Sequence, residues 1–347
     1  MMGPIRNPTD DDIRDRAMGA LLGLAIGDAL GMPTQTLSPV EIRARYGPIR
    51  SFLAPFAEHP VSHGLPAGAV TDDTEQALLL ARRLLSYATE AGPADGRLSG
   101  WDDRAWAADL LAWEEGVRAR GLRDLLGPST KRAIDALLAG ADPSAAGRHG
   151  TTNGAAMRIA PVGIATPPDP PAALVARVAQ TARLTHATAP AIAAASAVAA
   201  AISAGIAGAD WATARAAACT AARLGALAGR WCDGGDVATR IAAACSAADP
   251  AALCGTGVQA AQSVPCAFGL AEAAQGDAWQ AACRAAELGG DTDTIGAIAG
   301  ALCGACSGAS ALPGEAVAEI TRINQLDLDP LVDGLLTLRR ATERAWA

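Results

Sequence analysis

Apolar positions recur with helical rather than strand spacing along nearly the whole chain. Asp10–Asp12 suit a helix start, and Ile13, Ala17, Ala20, Leu21 and Leu24 then share one face. The segment Gly27 to Pro33 ends this first helix, Pro39 to Tyr46 reads as a short helix, and residues 47–70 read as a loop. Thr71 opens a helix through TDDTEQALLLARRLLSYA, Gly92 to Gly100 is a polar connection, and residues 101–140 give two or three helices broken near Gly121 and Gly127–Pro128. Asp142 to Asn153 is a polar loop before the apolar stretch Gly154 to Ile164, and the prolines from Pro167 to Pro171 mark a surface break. Helices are predicted over 172–183, 189–205, 209–229 and 236–247, then from near Ala260 and over Asp277 to Leu288. The turn Gly289 to Thr294 leads into a helix reaching about Gly308, and Gly314 to Asn324 and Pro330 to Ala345 complete the chain. No segment alternates with the period of two that a half-buried strand needs. There is no internal repeat and no linker between halves, so the expectation is an all-α protein with a single domain over residues 1–347 and a flexible segment over 1–12.

Composition sharpens this picture. Half of the 347 residues are hydrophobic, but Ala and Gly dominate, with only 3 Phe, 2 Tyr and 7 Trp. Small side chains favour closely packed helices, and Ala is the best helix former. Ala187 to Ala209 carries no charge, yet its Ala, Ser, Gly and Ile lack the strongly apolar residues that drive membrane insertion. It reads as a buried helix, as does the run from Ile295 to Pro313, so no membrane partner is expected. The net charge of −8 argues against a duplex nucleic-acid footprint. The start of the chain is acidic where a signal peptide would be basic, which gives an expected cytoplasmic location with the 8 Cys reduced. Cys303 and Cys306 form a CxxC without a second pair or a nearby His, so they read as buried small residues. No exposed apolar helix is evident, and a monomer is expected.

Two clusters carry candidate chemistry: Thr71-Asp72-Asp73-Thr74 and Asp291-Thr292-Asp293-Thr294. Each sets hard oxygen ligands at a predicted helix start, where free N–H groups favour anions. Asp and Thr are also ordinary caps. Adjacent carboxylates repel, however, and a divalent cation would supply the missing counter-charge. Mg²⁺ accepts carboxylate, hydroxyl and water oxygens, and Mn²⁺ suits them as well. Two such clusters together could hold two ions and one activated water. A further segment, Thr151 to Arg158, offers small residues and an arginine fork for phosphate or carboxylate, or else a tight turn with a surface Arg. His186 precedes the uncharged helix, as a structural or a ligand-contacting residue.

Together, GALLGLAIGDALGMP (Gly19 to Pro33), TDDTEQALLLA (Thr71 to Ala81), TTNGAAMRIAPVGI (Thr151 to Ile164), LTHAT (Leu184 to Thr188) and LGGDTDTIGAIAGALCGA (Leu288 to Ala305) resemble the ADP-ribosylglycohydrolase family, which includes the dinitrogenase-reductase-activating glycohydrolases. The motifs follow the family's order over nearly the full length. The resemblance implies an orthogonal helical bundle with two divalent cations in a cleft, Mg²⁺ first and Mn²⁺ second. It implies that Thr71, Asp72 and Asp73 hold one ion and Asp291, Asp293 and Thr294 the other, with one Asp shared. It also implies a ligand loop of Thr152, Asn153, Gly154, Ala155 and Met157 closed by Arg158, which either contacts the ligand or braces the loop, with His186 touching the ligand and Asp28 bracing the metal region. The implied reaction is hydrolysis of a C1″ glycosidic bond in an ADP-ribosylated side chain, with an ADP-ribosylated protein as the implied partner and Asp73, and next to it Asp72, taking the water's proton.

The chain departs from the pattern at Gln35, where many members carry Glu, and at Val258, where some relatives carry an aromatic. With Gly255 to Val258 and Gln262 to Pro265, these departures resemble a branch suited to small nucleoside-like glycosides. An N-glycosidase of nucleosides is therefore the alternative reading, with Gln35 at the ligand. A non-catalytic ADP-ribose-binding or crystallin-like role is disfavoured because Asp72, Asp73, Asp291 and Asp293 are all present.

Overall fold

The computed structural model describes residues 8–91, 101–121 and 127–346. The polar connection predicted at Gly92 to Gly100 lies outside the described residues, as do residues 1–7 of the segment expected to be flexible. The described residues form helices with no strand, apart from isolated bridges pairing Thr152 with Gln259 and Thr188 with Arg230. The helices are α1 (Asp10–Gly31), α2 (Pro39–Tyr46), α3 (Asp72–Ala91), α4 (Asp103–Ala119), α5 (Pro128–Leu138) and α6 (Pro143–Ala146). Next come α7 (Gly154–Met157), α8 (Ala160–Ala165), α9 (Pro171–Ala182), α10 (Ala189–Ile206), α11 (Trp211–Ala228) and α12 (Val237–Cys245). The last are α13 (Pro250–Cys254), α14 (Ala260–Ala273), α15 (Ala278–Ala285), α16 (Thr292–Ser307), α17 (Gly314–Asn324) and α18 (Asp329–Trp346).

Local chemistry explains several of the starts. Asp102, Asp210, Asp236, Asp249 and Asp277 each accept backbone N–H groups of the helix they precede, the usual work of an N-cap. At α1 the cap is Thr9, in a reciprocal box with Asp12. Asp10–Asp12 therefore form the first turn rather than precede it.

The sequence pattern predicts one apolar face for α1, but α1 is enclosed all round from Gly19 to Gly31. Helix α16 makes its most extensive contact, with α15, α10, α18, α17 and α3 around the remainder. The pairing with α16 is antiparallel and runs through glycine. A Cβ at Gly23 would collide with the Gly300 carbonyl, one at Gly27 with the Gly296 carbonyl, and one at Gly19 with the Gly304 carbonyl. Glycines four residues apart lie on one helix stripe, so two such stripes bring the backbones into direct contact. At the end of this seam, Gly31 meets the backbone of Thr292 and Asp293. Helix α10 is long and apolar enough to cross a membrane by composition, yet it is wholly covered by neighbouring helices. Cys303 lies buried within α16, and Cys306 follows one turn later without a disulfide partner.

The seam makes a clear prediction. Gly23→Ala should destabilise the protein by roughly 3 kcal/mol, because the intruding methyl meets backbone rather than a movable side chain. Gly116→Ala, in the exposed last turn of α4 with nothing near its added Cβ, should instead stabilise by about 0.5–1 kcal/mol. Urea denaturation of both variants checks the contrast, and equal responses would remove the seam's special status.

Candidate active site

The seam delivers Asp28, in the last turn of α1, to the start of α3. Asp28 is fully buried and accepts the Thr71 and Thr74 backbone N–H groups at 2.9 and 3.1 Å. It also accepts their hydroxyls at 2.7 and 2.6 Å. A carboxylate from α1 thus caps α3 across 43 residues of sequence. The cap fixes the turn that carries Asp72 and Asp73.

The start of α16 arrives from the other side. Gly289 and Gly290 have φ of 77° and 78°, a region that favours glycine. Their loop is stitched on both flanks: Thr36 N–H donates to the Gly290 carbonyl at 2.7 Å, and Asp291 N–H donates to the Thr256 carbonyl at 2.8 Å. Thr292 donates to the Gly31 carbonyl at 2.9 Å, which joins this helix start to the end of α1. The Thr294 hydroxyl donates to Asp73 Oδ2 at 3.3 Å, and the Thr71 hydroxyl oxygen, whose proton is committed to Asp28, lies 3.4 Å from the same oxygen. The two acidic clusters separated in sequence therefore meet in space.

Their electrostatics are unfavourable as they stand. Burial, then the neighbouring carboxylates, hold Asp72, Asp73 and Asp293 well above the ordinary carboxylate range. Burial also raises Asp28 and Asp291 to about 6 despite their hydrogen bonds. None of these carboxylates forms an ion pair with a Lys or Arg among the described residues, and Asp73 Oδ1 is buried without a hydrogen-bond partner. Among the described residues, no group of three or more His, Cys, Asp or Glu side chains stands in an arrangement that would hold a metal ion. What is present is a set of hard oxygen donors, one of them unbonded, with no Lys or Arg ion-paired to them among the described residues.

The loop at Thr151 to Arg158 forms a second wall. Thr151 and Asn153 pair through backbone hydrogen bonds with Ala260 and Val258, at 3.0 and 2.9 Å. Asn153 Nδ2 donates to Asp291 Oδ2 at 2.5 Å and to Ser263 at 2.8 Å, tying the loop to the acidic cluster. Gly154, Ala155 and Met157 are buried within the short helix α7. Thr152 is 3% exposed, and its hydroxyl lies 2.9 Å from His186 Nε2.

Three candidate residues prove enclosed. His186 has no exposed surface, and Thr185 engages its Nδ1 at 2.8 Å. Burial, and then Arg158 and Arg132, push its pKa well below the usual value. Arg158, read as a ligand fork or a surface residue, is 1% exposed instead and donates to Gln76 at 2.9 Å and to Thr185 at 2.5 Å. Gln76 in turn donates to Asp72 Oδ2 at 3.4 Å. Gln35 donates to Ser62 at 2.9 Å, and Ser62 donates to the Met32 carbonyl. His59 Nε2 lies 3.1 Å from the Gln35 carbonyl. Sequence reasoning missed Gln76, Thr185 and Ser62. The first two sit inside quoted motifs, Gln76 one helical turn beyond Asp72 and Thr185 beside His186, whereas Ser62 lies in a loop without a pattern.

Comparison with known proteins agrees with this architecture. The sequence profile of ADP-ribosylglycohydrolases matches residues 9–345, and the chain belongs to that family of hydrolases. It is 34% identical over 346 residues to the uncharacterized protein YegU of Escherichia coli K12, covering 95% of this chain and 98% of the relative. It is 33% identical over 178 residues to the ADP-ribosyl-[dinitrogen reductase] glycohydrolase of Rhodospirillum rubrum, spanning 53% of that protein. It is 32% identical over 171 residues to the ADP-ribosylarginine hydrolase Tri1 of Pseudomonas putida GB-1, spanning 38% of that protein. A solved structure described as an ADP-ribosylglycohydrolase-related protein complex superposes with a TM-score of 0.67 at 28% identity, over 96% of this chain and 99% of that one.

Asp28→Asn tests the cap from α1. The amide keeps the volume but replaces an accepting oxygen with a donor facing N–H and O–H groups. The loss of satisfied donors should outweigh the relieved repulsion and cost about 3 kcal/mol in chemical denaturation. A variant as stable as the parent would show that repulsion dominates at this position.

Proposed function

We propose that this protein is a divalent-metal-dependent hydrolase that cleaves the C1″ glycosidic bond joining ADP-ribose to a modified side chain or a related conjugate. The observation that carries the reading is the buried acidic cluster without a side-chain counter-ion, in which Asp73 Oδ1 has no hydrogen-bond partner. Its donors are hard oxygens, the class that suits Mg²⁺ first and Mn²⁺ second. Thr71, Asp72 and Asp73 would hold one ion, and Asp291, Asp293 and Thr294 the other. When bound, such ions orient ribose hydroxyls and make a bound water more acidic.

The chain's own residues have separate tasks. Asp28 holds the Thr71–Thr74 turn in place, and the Thr71 proton points to Asp28, leaving its oxygen free to donate a lone pair. Asn153 orients Asp291. The unbonded oxygen of Asp73 takes the proton of the attacking water while positive charge develops on the ribose. The loop from Thr152 to Met157 lies against this cluster and receives the ribose and phosphates.

Among possible leaving groups, arginine comes first, because one relative is named as an ADP-ribosylarginine hydrolase. A second reading, an N-glycosidase of nucleosides, is favoured by Gln35, which is neutral and already engaged by Ser62. It is also favoured by Val258, a small side chain 39% exposed where a stacking ring would serve adenine.

The deciding experiment is a mass-spectrometric hydrolysis screen with Mg²⁺, and with EDTA as control. ADP-ribosyl-arginine and ADP-ribosyl-serine peptides, ADP-ribose esters and plain nucleosides form the panel. EDTA-sensitive release of ADP-ribose is expected, whereas release of free base with the peptides untouched would move the protein to the second reading. Asp291→Asn should lower kcat at least about a hundredfold, the scale on which lost electrostatic or acid–base assistance acts, while leaving the fold intact by circular dichroism. Saturating Mg²⁺ or Mn²⁺ should raise the melting temperature of the parent, since an ion bound only by the native state stabilises it. An unmoved melting curve would leave the clusters as helix caps.

A further inference from the structure

A chain of buried polar groups runs behind the candidate site and links its two walls. It passes from Asp72 through Gln76, Arg158, Thr185 and His186 to Thr152, with contacts of 3.4, 2.9, 2.5, 2.8 and 2.9 Å. Each of these residues is less than 10% exposed. In such a chain each hydroxyl and each imidazole nitrogen can either give or receive a proton. The direction therefore has to be set by a group with no choice.

Arg158 is that group, because a guanidinium only donates. It occupies a lone pair of Thr185 Oγ1, so the Thr185 proton must go elsewhere. The alternatives are His186 Nδ1 at 2.8 Å and the Ala182 carbonyl at 3.5 Å. Ala182 already accepts the backbone N–H groups of Thr185 and His186, at 3.1 and 2.9 Å. The shorter, uncontested acceptor wins, and Nδ1 is left without a proton. A neutral imidazole with a bare Nδ1 carries its proton on Nε2, which then donates to Thr152 Oγ1. The Thr152 hydroxyl has no other partner among the described residues. Its own proton is free to point away from His186.

We propose that Arg158 is a positioning residue that fixes the direction of this chain, locks His186 as the neutral Nε2–H tautomer, and leaves Thr152 a hydrogen-bond donor towards the ligand. The acceptor it fits is an oxygen carrying no proton, and the buried cation Arg158, which polarises the links from Thr185 to Thr152, favours an anionic one. A phosphate oxygen is that class, whereas a sugar hydroxyl gains less because its lone pairs are weaker acceptors. The phosphate assignment rests on the ADP-ribose reading above. The direction of the chain does not.

The test separates the two. In ¹⁵N-labelled full-length protein, long-range ¹H–¹⁵N correlation reads the tautomer of each histidine, and the chain has only 4. Single substitution of His59, His63 and His149 in turn assigns the remaining signals to His186. The expected result is a pyridine-like Nδ1 and a pyrrole-like Nε2 that stay fixed between pH ~5 and ~8, the range in which an ordinary histidine changes charge. A protonated Nδ1, in the other tautomer or in an imidazolium, would overturn the proposal.

Activity supplies the second reading. Thr185→Val removes the relay at constant volume and should raise KM for an ADP-ribosylated peptide about tenfold, the value of one hydrogen bond of ~1.4 kcal/mol, with kcat within about twofold. Thr185→Ser should restore KM. An unchanged KM in a folded Thr185→Val variant also counts against the proposal. If that variant does not fold, the tautomer in the parent protein decides alone. A parent with the expected tautomer but no activity on ADP-ribose conjugates would remove the substrate reading and leave the directed chain standing.

Discussion

The backbone contact between α1 and α16 is the constraint on which the rest depends. Side chains normally hold two helices 8–10 Å apart and allow some latitude in register. Where glycine faces glycine, the peptide groups themselves touch, and neither helix can slide or rotate without collision. The seam ends where Gly31 meets Thr292 and Asp293. It therefore sets the height at which the α16 carboxylates stand relative to Asp28, and through Asp28 the position of Asp72 and Asp73. An Ala-rich core gives little transfer energy per residue, since each buried methyl contributes only about 0.8 kcal/mol. The compensation is dispersion between backbones at very short range.

The site concentrates negative charge in a place that burial makes hostile to it. Two helix starts point at the cluster, and their free N–H groups offset part of the cost. The nearest buried cation, Arg158, reaches Asp72 only through Gln76. Arg158 is itself held down to about 10 by burial. The balance left over is an affinity for positive charge that the protein does not satisfy internally.

Much of this was legible in the chain, for identifiable reasons. The helix spans beginning near Asp210, Asp236 and Asp277 could be read because an apolar run with helical spacing is a local signal; the capping by these residues emerges only with the structure. The pairing of the Thr71 and Asp291 clusters followed from their shared chemistry and their family motifs. The glycine seam was missed although both stripes lie inside quoted motifs. Gly19, Gly23, Gly27 and Gly31 mean little until Gly296, Gly300 and Gly304 are set opposite them, and that is a long-range fact. The face expected on α1 does meet the core, with Ile13 against it and Ala17, Ala20, Leu21 and Leu24 buried, but the enclosure of the opposite side from Gly19 onward leaves no period to read. The short helices α6, α7, α8 and α13 are too brief to show a period. His186 and Arg158 were left between two readings, and only burial distinguishes a bracing residue from a contact residue.

The cap that Asp28 places on α3 ties local order to global assembly. A helix capped by its own preceding residue can flicker into existence alone, but α3 begins on an acceptor that belongs to another helix. Until α1 has docked, the Thr71–Thr74 turn lacks its partner, and the acidic residues it carries remain apart and hydrated. The repulsion built into the cluster therefore arises only where α1 and α3 are docked. Forms in which the Thr71–Thr74 turn lacks Asp28 do not carry it. Competence and completeness of the fold arrive together.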